Sequence, residues 1–161
     1  MTVIGAANGS LWPGLLGLMV FLLVHYLYSE TAGADFLLAA CTISVGLVCE
    51  TVFVRTGLLL YPADALALAG VPLWVLILWA NFALIMNGCL SWLHGRYLLS
   101  AALGFLGGPL SYYGGIKLGA ATAGHSLSMV LTGIAICYAL VTPLFLYMAQ
   151  RLSRSVRTRS G

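Results

Sequence analysis

Seven basic and four acidic residues are spread so unevenly along this chain that they cut it into membrane-length pieces. They fall at Glu30, Asp35, Glu50, Arg55, Asp64, Arg96, Lys117, Arg151, Arg154, Arg157 and Arg159. Uncharged runs extend from Met1 to Ser29, Ala65 to Gly95, Tyr97 to Ile116 and Leu118 to Gln150. A helix needs roughly 20 apolar residues to cross a hydrocarbon core about 30 Å thick. Each run is long enough for one crossing, and the stretch from Asp35 to Arg55 offers a fifth. The spacing therefore predicts an all-α, polytopic membrane bundle of about five helices, one domain over residues 1–150, with a basic tail over 151–161.

Composition removes the alternatives. Of 161 residues, 61% are hydrophobic and 7% charged, whereas a soluble domain carries charge on about a quarter of its residues. So few charges cannot cover a soluble surface, and the apolar content excludes disorder. No Lys or Arg precedes the first apolar run, so it lacks the basic start of a cleaved signal and is expected to stay as a span. The four cysteines, Cys41, Cys49, Cys89 and Cys137, show no Cys-x-x-Cys spacing and read as small buried apolar residues.

The expected spans are 11–28, 36–54 (extending as far as Leu60 before Pro62), 71–93, one beginning at Tyr97, and 126–148. The His-Gly-Arg turn at 94–96 is short enough to return the fourth span antiparallel beside the third. That fourth span carries Gly107, Gly108 and Pro109; glycine weakens a helix, and proline removes a hydrogen bond and clashes with the preceding turn. A kink or break near Pro109 is the expectation. Four of the seven basic residues lie in the last eleven positions, so the positive-inside rule places the C-terminus in the cytoplasm and the N-terminus outside.

Three blocks, CETVFVRTGLLLYP, VPLWVLILWANFALIMNGCLSWL and ALGFLGGPLSYYGGIKLGA, make the chain resemble the family known as domain of unknown function 2878. The similarity covers residues 46–121 and is strongest in the last two blocks. It implies a compact helical protein of the bacterial inner membrane and carries no activity with it. Glu50 stands where the resemblance would place an Asp, which keeps the charge.

Ionisable and amide groups at membrane depth cost about 2.5–3.5 kcal/mol at a helix centre, so they mark the positions to question. Glu50 and Arg55, about 140° out of phase on a helix, read either as a charged pair in a polar cavity or as interfacial residues with Arg55 snorkelling. Asn87, Ser91 and His94 fall on one helical face, and Trp74, Asn81 and Gly88 on another. These read as a binding face or as interhelical glue. Gly104/Gly108 and Gly115/Gly119 are Gly-x-x-x-Gly pairs, suited to tight packing against the third span. Alternatively a broken helix there could aim free N–H groups at an anionic headgroup, with Tyr112 and Lys117 completing the site.

His25, His94 and His125 lack metal-ligand spacing, and no metal or cofactor is expected. The arginine tail, placed directly after a span, reads as contacting anionic lipid rather than nucleic acid. The reading favoured by this pattern is an accessory, scaffold or lipid-binding membrane component, with a membrane-protein partner or a homo-oligomer as company. The runner-up is a membrane enzyme acting on a lipid or isoprenoid with Glu50 as acid or base. Transport is third, since no internal repeat is visible.

Overall fold

The computed structural model describes residues 32–62 and 67–157, together with Leu16, Gly17, Met19, Val20 and Leu23, which are helical. The expected first span, with His25, otherwise lies outside the described residues, as do Glu30 and Asp64. The rest is all-helical: α1 (Ala32–Arg55), α2 (Leu73–Met86), α3 (Tyr97–Lys117) and α4 (Leu127–Arg157). Four two-residue strands, β1 (Leu59–Leu60), β2 (Ala67–Leu68), β3 (Val71–Pro72) and β4 (Thr122–Ala123), and a 3₁₀ turn at Ser91–Leu93 fill the connections.

Helix α1 is apolar throughout, with Asp35 in its first turn and Arg55 in its last, the polarity that a helix dipole favours. It stops where Gly57 adopts a left-handed φ of 69°, its N–H bonded to Val54 O at 3.0 Å. Leu59–Leu60 then pairs antiparallel with Thr122–Ala123, and Gly124 N–H reaches Leu58 O at 3.1 Å. This small ladder ties the end of α1 to the α3–α4 connection. A hairpin, β2–β3, turns through Ala69 and Gly70, both with positive φ, as a two-residue loop of this handedness requires.

Helix α2 is shorter than its uncharged run suggests. Only 14 residues are helical, about 21 Å at 1.5 Å per residue, and Asn87 closes it ahead of Gly88. Ser91 therefore sits in the 3₁₀ turn, and Asn87, Ser91 and His94 do not share a helix face. The connection back to α3 runs over residues 87–96, longer than a three-residue turn. Freed by that length, α3 does not lie beside α2. It packs along α4, while α2 packs along α1 and α1 touches α4. Helix α2 also touches α4, so the order α2, α1, α4, α3 is curled, with a gap left between α2 and α3 at the mouth of a horseshoe.

Helix α3 is unbroken from Tyr97 to Lys117, with Pro109 inside it. Proline costs this helix one i to i−4 bond without ending it, a loss that helices packed in a bundle tolerate. The stop comes ten residues later. Gly119 N–H bonds Ile116 O at 3.1 Å, Ala120 N–H bonds Gly115 O at 3.0 Å, and Gly119 has φ 76°. That is a Schellman cap, so Gly115 and Gly119 end a helix instead of packing one against another. Gly119→Ala is expected to cost about 1 kcal/mol through the left-handed φ, read as a lowered midpoint in detergent denaturation. An unchanged midpoint would contradict the cap assignment.

Two helices are long and apolar enough to cross a membrane, over Gly33–Arg55 and Leu127–Ser153. Only a third of each is buried inside the protein; Val48, Val52, Ile136 and Leu140 are exposed. Outward faces this apolar are costly in water. Helix α4 continues to Arg157, so most of the basic segment extends a helix rather than forming a separate tail. Five crossings are not established by these four helices.

Candidate functional site: a buried carboxylate behind an aromatic-lined crevice

The residues that meet in the middle of the bundle start from a stripe on α1. Thr42, Gly46 and Glu50, each four residues on from the last, face α2 at Trp79. Thr42 Oγ1 donates to Ala39 O at 2.9 Å and lies 3.4 Å from Trp79 O. A Cβ on Gly46 would run into the indole ring, so glycine there lets Trp79 approach the α1 backbone. Trp79 is thereby turned with its Nε1 donating to Glu50 Oε1 at 3.2 Å.

Glu50 is completely buried and accepts two further hydrogen bonds. Tyr61 donates to Oε2 at 2.9 Å, and Tyr112 donates to Oε1. Tyr138 donates in turn to the Tyr112 hydroxyl at 3.4 Å. Each partner comes from a different place: Trp79 from α2, Tyr61 from the segment after β1, Tyr112 from α3 and Tyr138 from α4. The carboxyl is thus a common acceptor at the point where all four helices converge. Neutral O–H and N–H donors satisfy it without a countercharge, which a buried carboxyl otherwise requires. Ring contacts hold the donors in place. Trp79 stacks on Tyr138 at 5.2 Å, Tyr112 meets Tyr138 edge-on at 5.8 Å, and Tyr61 meets Trp74 edge-on at 5.9 Å.

Arg55 is exposed and forms no pair with Glu50. Lys117 is also exposed and lies 5.5 Å over the ring of Tyr113, on a different side chain from the Tyr112 that reaches Glu50. The anionic headgroup site expected from Tyr112 and Lys117 is therefore not assembled. Ser91 bonds its own turn at Gly88 O. Asn87 donates to Asp35, joining the far ends of α1 and α2. Asp35 is fully buried in the first turn of α1. Cys89 is exposed and the other three cysteines are half-buried, so full burial holds for none of them.

Gly104 and Gly108 pack against α4, not against α2. A Cβ at Gly104 would collide with the Tyr138 carbonyl and the Thr142 side chain, and one at Gly108 would come within 2.6 Å of the Tyr138 ring. Small residues here draw two backbones together, as in close membrane helix pairs. Thr142 Oγ1, buried against Gly104, has no hydrogen-bond partner among the described residues.

Because α2 and α3 stay apart, a crevice of about 750 Å³ opens between them. Trp74, Trp79, Phe82, Tyr61, Tyr112 and Tyr138 form its aromatic lining, and Gly107, Ser111 and Gly115 present the facing wall. Three of these six aromatics donate directly to Glu50, yet Glu50 itself does not line the crevice. Asn81 borders it as well, its Nδ2 donating to Ile77 O at 3.0 Å. Of the positions marked by the sequence, Asn81, Tyr112, Gly104, Gly108 and Gly115 border this space, with Glu50 one bond behind it. Arg55, Asn87, Ser91, Lys117, Pro109 and Gly119 do not.

Sequence reasoning passed over Tyr61, Trp79 and Tyr138. For Trp79 and Tyr138 the signal was available: each has a polar tip well inside an apolar run, where a buried O–H or N–H demands a partner; Tyr61, at the end of its run beside Pro62, carried no such signal.

The fold and site define a class: a helical protein with two membrane-length apolar helices, built around a buried carboxylate and an apolar crevice. The chain matches the family described as protein of unknown function DUF2878 over residues 1–144, and it belongs to that family. The match extends beyond the blocks at 46–121 that first carried the likeness. No curated protein and no solved structure matches the chain.

Proposed function

We propose that this is a multi-pass inner-membrane protein that holds an apolar lipid in the crevice between α2 and α3, as an accessory or lipid-binding component. The observation that carries this reading is the crevice. Its volume falls within the 300–1,000 Å³ typical of ligand sites, and its lining is predominantly apolar and aromatic, as such sites are. Leu103, Gly107 and Ser111 on its α3 wall are exposed, so a lipid could enter sideways from the bilayer. In this arrangement α1, α3 and α4 cross the membrane with the α2 region between them, and the C-terminal end of α4 lies on the cytoplasmic side beside anionic headgroups.

Glu50 acts here as a structural acceptor. Both of its oxygens are engaged and three aromatic side chains stand between it and the crevice, which argues against acid–base catalysis on a bound lipid.

Gly107 provides the test. It borders the crevice, and a Cβ there would meet nothing within 4 Å. Gly107→Leu should therefore fill the crevice while leaving the packing intact. Wild-type protein purified in mild detergent is expected to retain stoichiometric lipid by mass spectrometry, and Gly107→Leu to lose it at an unchanged denaturation midpoint. Equal lipid content in the two proteins would overturn the proposal.

A further inference from the structure

The lining of the crevice specifies what kind of lipid it takes. It contains no lysine, arginine, histidine, aspartate or glutamate among the described residues. A phosphate or carboxylate headgroup drawn into it would lose its hydration with no cation to replace it. Lys117, Arg96 and Arg55, the basic residues nearest in sequence to the site, are all exposed and absent from its lining. The ligand that fits is uncharged.

Two polar groups at the crevice are incompletely used, Thr142 Oγ1, which is pressed against Gly104, and the Asn81 amide, which is the more open of the two. Asn81 spends one N–H on Ile77 O, its own helix carbonyl four residues back. Its Oδ1 has no hydrogen-bond partner among the described residues. Asn81 is half-buried beside Leu78, Phe82 and Ile85 at the crevice wall, so a ligand donor there gains a hydrogen bond that the protein does not supply. Ser111, on the opposite wall, donates to Gly107 O at 2.9 Å, and its oxygen stays able to accept. Both walls therefore offer acceptors, and the complementary ligand group is an O–H.

The shape of the walls restricts the rest of the molecule. The aromatic faces carried mainly by α2 and α4 stand across from the nearly flat Gly107–Ser111–Gly115 surface of α3, where residues four apart align along the helix. A flat wall against an aromatic wall suits an extended hydrocarbon body whose C–H groups pack on the ring faces.

We infer that the crevice binds a neutral long-chain lipid alcohol, its hydroxyl donating to Asn81 Oδ1 and its hydrocarbon chain lying between the α2 aromatics and the glycine face of α3. This rests on the lipid-binding reading above and narrows it to one class of lipid.

The experiment measures binding to full-length protein in detergent by native mass spectrometry. The probes are geranylgeraniol, geranylgeranyl diphosphate and phosphatidylglycerol. Geranylgeraniol is expected to bind wild-type protein at least tenfold more tightly than either charged lipid. Asn81→Leu should weaken it about tenfold, the loss of one hydrogen bond of about 1.4 kcal/mol, and Gly107→Leu should abolish it. Diphosphate binding as tight as the alcohol's would overturn the inference without needing any variant. So would unchanged alcohol affinity in Asn81→Leu. If phosphatidylglycerol is then the lipid that Gly107→Leu displaces, the crevice remains a lipid site and only the neutral, hydroxylated class falls. If Gly107→Leu displaces none of the three, both readings fall together.

Discussion

Glu50→Ala is expected to destabilise the folded protein by about 3–5 kcal/mol, enough to remove most of the stability of a small bundle. The side chain is the shared acceptor of Tyr61, Trp79 and Tyr112. Alanine leaves three donors from three separate elements unpaired, each costing about 1–3 kcal/mol less whatever local re-pairing recovers. It also leaves a cavity at a position with no solvent exposure. Glu50→Gln should be much milder, at about 1 kcal/mol. Its amide oxygen still accepts from two donors, and the Tyr61 hydroxyl can rotate to accept from the new N–H. Denaturant titration in detergent, followed by tryptophan emission, separates the cases because Trp79 reports directly. If Gln proves as damaging as Ala, the carboxylate's charge matters beyond its role as acceptor, and the account given for this cluster is wrong.

The second large effect is expected along a single helix. Gly104→Ala places a methyl group against the Tyr138 carbonyl and Thr142, and neither α3 nor α4 can yield there without separating. Overpacking of this kind costs about 1–3 kcal/mol, more where backbone must move. Three residues on, Gly107→Ala meets only the open crevice and should be neutral or stabilising by up to about 1 kcal/mol, since alanine favours helix over glycine. The two substitutions are chemically identical, so helix propensity alone predicts the same sign for both. Opposite signs in thermal denaturation would show that Gly104 lies at a helix–helix contact and Gly107 at a cavity wall. Matching signs would contradict the packing described.

The charge spacing sufficed to predict helices over 36–54 and 126–148, because long uncharged runs leave an apolar helix as the main solution in lipid. It misjudged lengths wherever termination depends on a particular backbone conformation. The run 71–93 reads as one span, but the Asn87-Gly88 pair ends it early. Pro109 looked like the interruption of α3, whereas the stop is the left-handed Gly119. Charge also left the role of Asp35 unread, because its partner Asn87 lies 52 residues away, a separation that no local pattern reports. The site was legible in part. Glu50, Asn81 and Tyr112 stand out as polar groups in apolar runs, but the convergence of Tyr61, Trp79 and Tyr138 depends on which helices become neighbours. That order is not the order of the chain, and pairing α3 with α2 instead of α4 would have closed the crevice.

The horseshoe order has a consequence for the crevice. Its two limbs, α1 with α2 and α3 with α4, are joined along α1 and α4, where Glu50 reaches Tyr112 across the seam, and at one end by the β1–β4 ladder. At the opposite end Phe145, Leu146 and Ala149 of α4 share one core with Leu38 of α1 and Met86 of α2, so the limbs are joined there as well. The crevice walls α2 and α3 are linked in sequence by the ten residues 87–96. Leu90 and Leu93 of that connector line the crevice, so the loop that spaces the two walls is also part of the surface a guest would meet.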